Sequence, residues 1–346
     1  MIEQHTAVTI KEVAQLAGVS IATVSRVLNQ HIAVSASTRD RVMEAVRELN
    51  YSRNEVARSL KVRQTRTIGI IAPELSNFFF MGVVEAIEQM LAPLGYTLII
   101  SSSSNSTLEE KRKLQVFIER NVDGLVVMPA GPEGDHFRTK AVSHIPMVTV
   151  DRKVADLAVD SVVVDNRYGV AQMIKALKLE GFDRIGYIGG NPAIHTAGER
   201  LQGYYEAMKD LKLPIDDRFV LYEGTMDQHT GRKLLRKMLE IPGHPDAYFI
   251  ANEGLHLGAT AYALEYADPA VRDRLVFASF DLMSYGPLLK MCHYAVAQPL
   301  ERLGREVASL LLKRLQGDTA DFPAHRVLRP DIKVISANGG RPFAIF

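Results

Sequence analysis

The 346 residues contain one cysteine, Cys292, and no tryptophan. A lone thiol excludes an internal disulfide and a cysteine-built zinc site, and it fits a reducing cytoplasm. No apolar run approaches the length of a membrane span. The opening MIEQHTAVTIKEV has no basic region followed by a long apolar core, so no secretion signal is expected. Enzyme signatures are missing as well: there is no nucleophile elbow, phosphate-binding P-loop or zinc spacing. Ile185-Gly186-Tyr187-Ile188-Gly189-Gly190 lacks the register of a dinucleotide fingerprint. Neither Ser101 to Ser104 nor the ten scattered histidines form a catalytic pattern. Catalysis, a cofactor and a metal are therefore not expected. Net charge is scarce, +1, but unevenly spread. Residues 1–66 hold ten Lys/Arg against six Asp/Glu, a balance of +4, and the remainder 31 against 34, a balance of −3. A basic head on a slightly acidic body suits a phosphate-contacting module attached to a regulatory domain.

The head is organised around Thr9 to Asn29, TIKEVAQLAGVSIATVSRVLN. Thr9 with Glu12 three residues on forms a capping box, and Ile10, Val13, Ala14 and Ala17 give the following helix one apolar face. Gly18 can take the left-handed conformation of a tight turn, and Val19 can plug the angle between two helices. Ser20 caps the second helix, in which Val24, Val27 and Leu28 face inward. Ile21, Ala22, Ser25 and Arg26 then point outward, where a recognition helix reads base edges. A third helix over Thr38 to Leu49 carries Val42, Ala45, Val46 and Leu49 on one stripe. Such a core is too small to bind tightly alone, so two copies on a two-fold site are expected. SRNEVARSLKVRQTR, Ser52 to Arg66, reads as a short helix capped by Asn54 and followed by a linker, disordered when free.

This stretch, with VSASTRDRVMEAVRELNY at Val34 to Tyr51 and ARSL at Ala57 to Leu60, resembles the LacI/GalR family of bacterial transcription regulators, and the likeness runs through almost the whole chain. It implies an N-terminal all-α helix-turn-helix domain (1–52), a hinge helix and linker (53–66) and an effector-binding and dimerisation domain (67–346). Val56, Ala57 and Leu60 would form the minor-groove face of the hinge, Leu60 being the wedge that unstacks a base step. Phosphate contacts are expected from Thr9, Ser20, Thr23, Asn29, Arg58 and Lys61. Arg53 stands where a proline is common in the family.

From Thr67 the pattern changes to strands alternating with helices, which implies a parallel sheet covered on both faces. Strands are predicted at Ile68–Ile71, Tyr96–Ile100, Leu125–Met128, Met147–Val150, Ile185–Ile188, Ala247–Ala251 and Val276–Phe280. Helices are predicted at Gly82–Leu91, Leu108–Arg120, Gly169–Leu179, Leu201–Leu211 and Leu300–Leu315, the last ended by Gly317. Ile68-Gly69-Ile70-Ile71 and Ile185-Gly186-Tyr187-Ile188 open two similar halves, pointing to two α/β lobes with a ligand cleft beyond the strand ends. By resemblance the fold is like that of periplasmic sugar-binding proteins, the chain crossing between lobes near 165, 298 and 328. The tail Asp331 to Phe346 has no leucine heptads, so a homodimer is expected.

Candidate effector contacts lie on loops after the strands. Phe79 and Phe80 either stack on a ligand or belong to the core. Asp151-Arg152 matches an acidic-basic pair of the family, and Thr196 to Tyr204 matches its Thr-x-x-x-Arg-x-x-Gly-aromatic motif. Arg200 is the foremost candidate, because a guanidinium offers several fixed donors. Asn252 can both donate and accept, and Asp281 can accept from two adjacent hydroxyls. Glu253, His256 and Leu282 depart from the family pattern, and Met226 lies about where some sugar-binding members place a tryptophan. The expected function is a DNA-binding repressor controlled by a small molecule, with a sugar or sugar phosphate favoured over a purine or a protein co-regulator. A solute-binding protein would need an export signal and no Thr9 to Leu60.

Overall fold

Gly18 adopts φ +62°, which stops the first helix and turns the chain into the second. The computed structural model describes residues 8–28, 34–51, 64–282 and 291–335. Readings made on Asn29 and on the hinge segment, including Val56, Ala57, Arg58, Leu60 and Lys61, lie outside these residues. The chain divides into two units between Thr65 and Arg66.

The first unit consists of α1 (Ile10–Leu16), α2 (Ile21–Leu28) and α3 (Ala36–Glu48). At the start of α1 the Glu12 carboxylate accepts from the Thr9 backbone N–H at 2.6 Å and from its hydroxyl at 2.9 Å. Ser20 Oγ accepts from Thr23 N–H at 3.2 Å and caps α2. The third helix begins two residues earlier than predicted, because Ser35 rather than a later residue caps it by accepting from Thr38 N–H. Val13, Ala14, Ala17, Val24, Val27, Val42 and Ala45 form its small core, with Val19 and Leu28 packed against it.

The second unit opens with β1 (Thr67–Ala72), α4 (Phe78–Leu91), β2 (Thr97–Ser102), α5 (Thr107–Glu119), β3 (Gly124–Val127), β4 (Met147–Val150) and β5 (Asp160–Val164). It continues with α6 (Asn166–Leu179), β6 (Ile185–Gly189), α7 (His195–Asp210), β7 (Val220–Tyr222), α8 (Gln228–Glu240), β8 (Ala247–Ile250) and α9 (Glu253–Tyr266). The single turn α10 (Pro269–Arg272), β9 (Val276–Phe280), β10 (Tyr294–Ala297), α11 (Leu300–Leu315), β11 (His325–Leu328) and β12 (Asp331–Val334) complete it. The strands form two six-stranded sheets, ordered β11-β5-β4-β3-β1-β2 and β12-β10-β9-β8-β6-β7. All pairings are parallel except that of β12 with β10. The chain passes between sheets after Val164, after Ala297 and after Leu328.

Five strands, β5, β7, β10, β11 and β12, were not predicted. β5 opens on a charged residue, Asp160, which is fully buried because Arg314 on α11 donates Nε and Nη2 to its two oxygens at 2.7 and 3.0 Å. β7, β10, β11 and β12 are three or four residues long, and β11 and β12 carry charge as well. β2 starts at Thr97, one residue later than predicted. α4 starts at Phe78, four residues earlier, because Asn77 Oδ1 accepts from Phe79 N–H at 2.9 Å and caps it there. Phe79 and Phe80 therefore sit in the first turn of a helix rather than on a loop.

The crossings meet at one tightly packed point. A Cβ on Gly169 of α6 would lie 2.9 Å from Pro330 Cγ, 3.0 Å from Val296 Cγ1 and 3.1 Å from Phe280 Cε2. These neighbours belong to or adjoin the second and third crossings, and Gly169 follows the first by one helical turn.

Candidate functional site: the cleft between the lobes

Every strand of a parallel sheet ends where its loop is free to reach a ligand. Glu74 and Asn77 follow β1, Asn105 follows β2, and Asp151 and Arg152 follow β4. From the other sheet, Ile194, Thr196 and Arg200 follow β6, Thr225 and Met226 follow β7, Asn252 follows β8 and Gln298 follows β10. Together with Phe79 and Phe80 these residues line one cleft with a free volume of about 80 Å³. Of the seven effector candidates named from the sequence, six line it; Asp281 does not, but receives a hydrogen bond from the Nε2 of the lining residue Gln298.

Arg200 stands one helical turn after Thr196 on α7, so both side chains share a face. Its Nε donates to Asn166 Oδ1 at 2.8 Å and its Nη1 to the Ala251 carbonyl at 2.6 Å. The guanidinium carbon lies 3.7 Å from the centroid of the Phe280 ring, a cation–π contact strengthened by burial. Asn166 is itself fixed, donating to the Val164 carbonyl at 3.1 Å. Arg200 is thereby tied to the first inter-lobe crossing, and Asp281, through Gln298, to the second.

The acidic groups are held at a cost. Asp151 has φ +67° and Asp281 φ +105°, backbone that an aspartate tolerates better than most side chains. Burial raises the Asp281 pKa to about 6, against the pull of Arg200 and the Gln298 hydrogen bond, and Glu253 and Asp151 add to the rise. Burial also raises Asp151, opposed by Arg152, Arg200 and His195. Arg152 Nη1 donates to the Pro129 carbonyl at 2.8 Å, and its Nε lies 3.5 Å from Asp151 Oδ2. Burial lowers the Arg152 pKa, with Asp151 the largest opposing influence. Glu110, fully buried on α5, accepts from Ala130 N–H at 2.8 Å and from or through His136 Nε2 at 2.8 Å, and so holds the loop that receives Arg152.

Asn252 is more engaged than its sequence position suggests. Its Oδ1 caps α9 by accepting from Leu255 N–H at 3.0 Å, and its Nδ2 donates to the Met226 carbonyl at 2.8 Å. One N–H and one lone pair remain for a ligand. Phe79 and Phe80 meet edge to face with centroids 5.3 Å apart, each only 6% exposed, so they serve the core and the cleft wall together. Glu74, Asn105, Thr225 and Gln298 carried no sequence signal as ligand contacts; Arg152 was visible only as the partner of Asp151.

In the head, Ile21, Ala22 and Arg26 are exposed and Ser25 is half-buried, while Val24 and Val27 are buried. Thr9 and Ser20 are exposed and Thr23 is half-buried at the starts of α1 and α2. Among the described residues no cluster of three or more His, Cys, Asp or Glu side chains can hold a metal ion, and no helix is long and apolar enough to cross a membrane.

Comparison with known proteins places this geometry. Residues 9–54 match the model of bacterial regulatory proteins, lacI family, and residues 65–334 that of periplasmic binding proteins and sugar binding domain of LacI family. The HTH-type transcriptional repressor PurR of Proteus mirabilis is 34% identical over 316 residues, covering 90% of this chain and 92% of its own. The lac repressor dimer bound to operator and the anti-inducer ONPF superposes with a TM-score of 0.81 at 25% identity, over 95% of this chain and 99% of that one. The complex of the transcriptional regulator CelR with cellobiose gives 0.70 at 28% identity, over 94% and 98% of the two chains.

Proposed function

From the premise that this chain belongs to the LacI family of DNA-binding transcriptional repressors, we propose that it works as a homodimer on a pseudo-palindromic operator and is switched by a sugar or sugar phosphate in the cleft. One observation carries the reading. Arg200 and Asp281 reach the first and second inter-lobe crossings through Asn166 and Gln298, so whatever engages them acts on the lobe connections directly. A ligand that prefers one lobe arrangement then shifts the population of DNA-competent dimers.

The similarity to PurR favours a second reading, a purine. Against it stands the shortage of stacking surface among the described residues. Of these, Phe79 and Phe80 are the aromatic ones lining the cleft, both nearly covered, and the face of Phe280 is taken by Arg200. A flat base needs an open aromatic face, whereas hydroxyl groups are served by the donors and acceptors present. The structurally similar CelR complex holds cellobiose. Melting curves over sugars, sugar phosphates and nucleobases test the choice. A ligand at about 100 times its Kd adds roughly 2.7 kcal/mol of stability. The chain is expected to gain with a sugar, and Arg200→Ala to lose that gain; stabilisation by nucleobases alone overturns the reading.

In the head, Ile21, Ala22, Ser25 and Arg26 are the proposed base readers, Thr9, Ser20 and Thr23 the proposed phosphate contacts, and Val56, Ala57 and Leu60 the proposed minor-groove face. Exposure of Arg26 on the helix face opposite Val24 supports the first assignment. Arg26→Ala is expected to remove roughly 1–3 kcal/mol of discrimination at a single base pair. Competition binding on operators selected from random duplexes measures it, and unchanged selectivity would refute the role.

A further inference from the structure

Resting on the reading of the cleft as the effector site, we propose that it admits a ligand without formal charge and turns anions away, so that of a sugar and its phosphate ester only the sugar is held. Of the two cations that line the cleft among the described residues, Arg152 pairs with the Asp151 carboxylate, while Arg200 is held by the neutral acceptors Asn166 and Ala251 and by the Phe280 ring. Arg152 lies beside Asp151 and feels Glu110 and Glu74 as well. Arg200 acts on both Asp151 and Asp281. Among the described residues the wall's two carboxylates, Glu74 and Asp151, balance its two arginines, and Asp281 behind Gln298 and the buried Glu110 add negative charge beyond it.

Three of the six guanidinium nitrogens are committed as well. Nε and Nη1 of Arg200 go to Asn166 and Ala251, and Nη1 of Arg152 goes to Pro129 and Ala130. A phosphate ester would have to draw Arg152 from Asp151, leaving that carboxylate buried and unpaired, which is strongly unfavourable, and at Arg200 it would meet no net positive charge on the wall. Helix starts ordinarily attract anions, but here α4 is capped by Asn77 and α9 by Asn252, with Asp281 accepting from Glu253 N–H at 3.3 Å. The start of α7 has no side-chain cap, and there Asp151 already supplies negative charge, as its attraction to His195 and Arg200 of that helix records. The nearest further cation acting on His195, Lys153, is exposed to solvent.

What the wall lacks is a neutral partner. Arg152 Nε, a donor, and Gln298 Oε1, an acceptor, are buried without a hydrogen bond. A hydroxyl can satisfy either, since it both donates and accepts.

The probe is inorganic phosphate, compared with chloride at equal ionic strength, in melting curves of the full chain. A cleft-specific rise is one that Arg200→Ala removes, which separates it from the general effect of phosphate on protein surfaces. The wild type is expected to show none. Glu74→Gln with Asp151→Asn, which keeps shape and one acceptor oxygen at each position but leaves a net positive wall, is expected to gain a rise that grows with the logarithm of phosphate concentration. Glu74→Gln alone should give a smaller rise and guards against misfolding of the double variant. A cleft-specific rise in the wild type overturns the proposal, and so does its absence in both variants, since charge pairing would then not be what excludes the anion. The effector-site reading fails separately, if neutral sugars and nucleobases move the wild type and Arg200→Ala alike.

Discussion

Replacing Gly258 by alanine is expected to lower the melting temperature by roughly 6–12 °C, the equivalent of about 3 kcal/mol of overpacking. The reason is a reciprocal glycine contact between α8 and α9. A Cβ at Gly258 would lie 1.9 Å from the Gln228 carbonyl oxygen and 2.8 Å from Arg232 N, and one at Gly231 would lie 2.0 Å from the Leu255 carbonyl oxygen. The obstacles are backbone atoms near a helix start, which cannot turn aside as a side chain can. Both helices begin at the cleft, α8 just after Met226 and α9 just after Asn252, and Asn252 Nδ2 bridges them by donating to the Met226 carbonyl. Pushing the helices apart therefore disturbs the ligand wall as well as the core. Gly181→Ala provides the contrast: Gly181 has φ +93° but no atom within 4 Å of a Cβ, so only backbone strain of about 1–2 kcal/mol is expected. Scanning calorimetry of the two variants separates crowding from strain. Equal shifts would refute backbone crowding between α8 and α9 as the cause.

Asp281→Asn is expected to stabilise the chain at neutral pH and to do little at pH near 4. The carboxyl titrates near 6 in the folded chain against an ordinary value of 3.8, so between those values the native state holds a proton that the unfolded state has released. Its contribution is favourable below that window and is lost as pH rises through 6. Above 6, the ionised, desolvated carboxylate lowers stability by roughly 3 kcal/mol. Asparagine removes the charge and keeps one acceptor oxygen beside a donor, the same pairing that the protonated carboxyl offers to Gln298 and Glu253 N–H. Thermal unfolding of the two proteins from pH 4 to 8 should show a difference that grows through that window; a constant difference would mean that Asp281 is ordinarily solvated. A charge kept at this expense directly behind the cleft-lining Gln298 marks Asp281 as a functional group rather than a packing one.

The fold was largely legible because its signals are local. The cap at Ser20, the turn at Gly18 and the apolar stripe through Val24 and Val27 each need only a few neighbouring residues, and the structure shows all three. The central strands were equally plain as short apolar runs. β5 was hidden because its first residue, Asp160, is neutralised by Arg314, 154 positions away, and no window on the sequence contains both. The edge strands β11 and β12 were hidden because exposure lets them carry charge. In the cleft, Thr196 and Arg200 stood out together through the family's Thr-x-x-x-Arg-x-x-Gly-aromatic motif, although their helix was predicted only from Leu201 and begins at His195. Glu74 and Asn105 come from different loops, joined by a hydrogen bond of 2.8 Å across 31 residues, and Gln298 follows a strand too short to recognise.

The order of the strands also governs how the protein can be made. The first lobe, begun at β1, is finished only by α11, which buries Leu303, Val307, Leu310 and Leu311 and brings Gly304 so close to α4 that a Cβ there would lie 2.4 Å from Ala86 Cβ, and by β11 beside β5. A nascent chain emerging from the ribosome therefore completes most of the second lobe while the first still shows a bare apolar face. Any product stopped before Leu300 leaves that face permanently uncovered, and early termination yields an aggregation-prone fragment rather than a smaller working repressor.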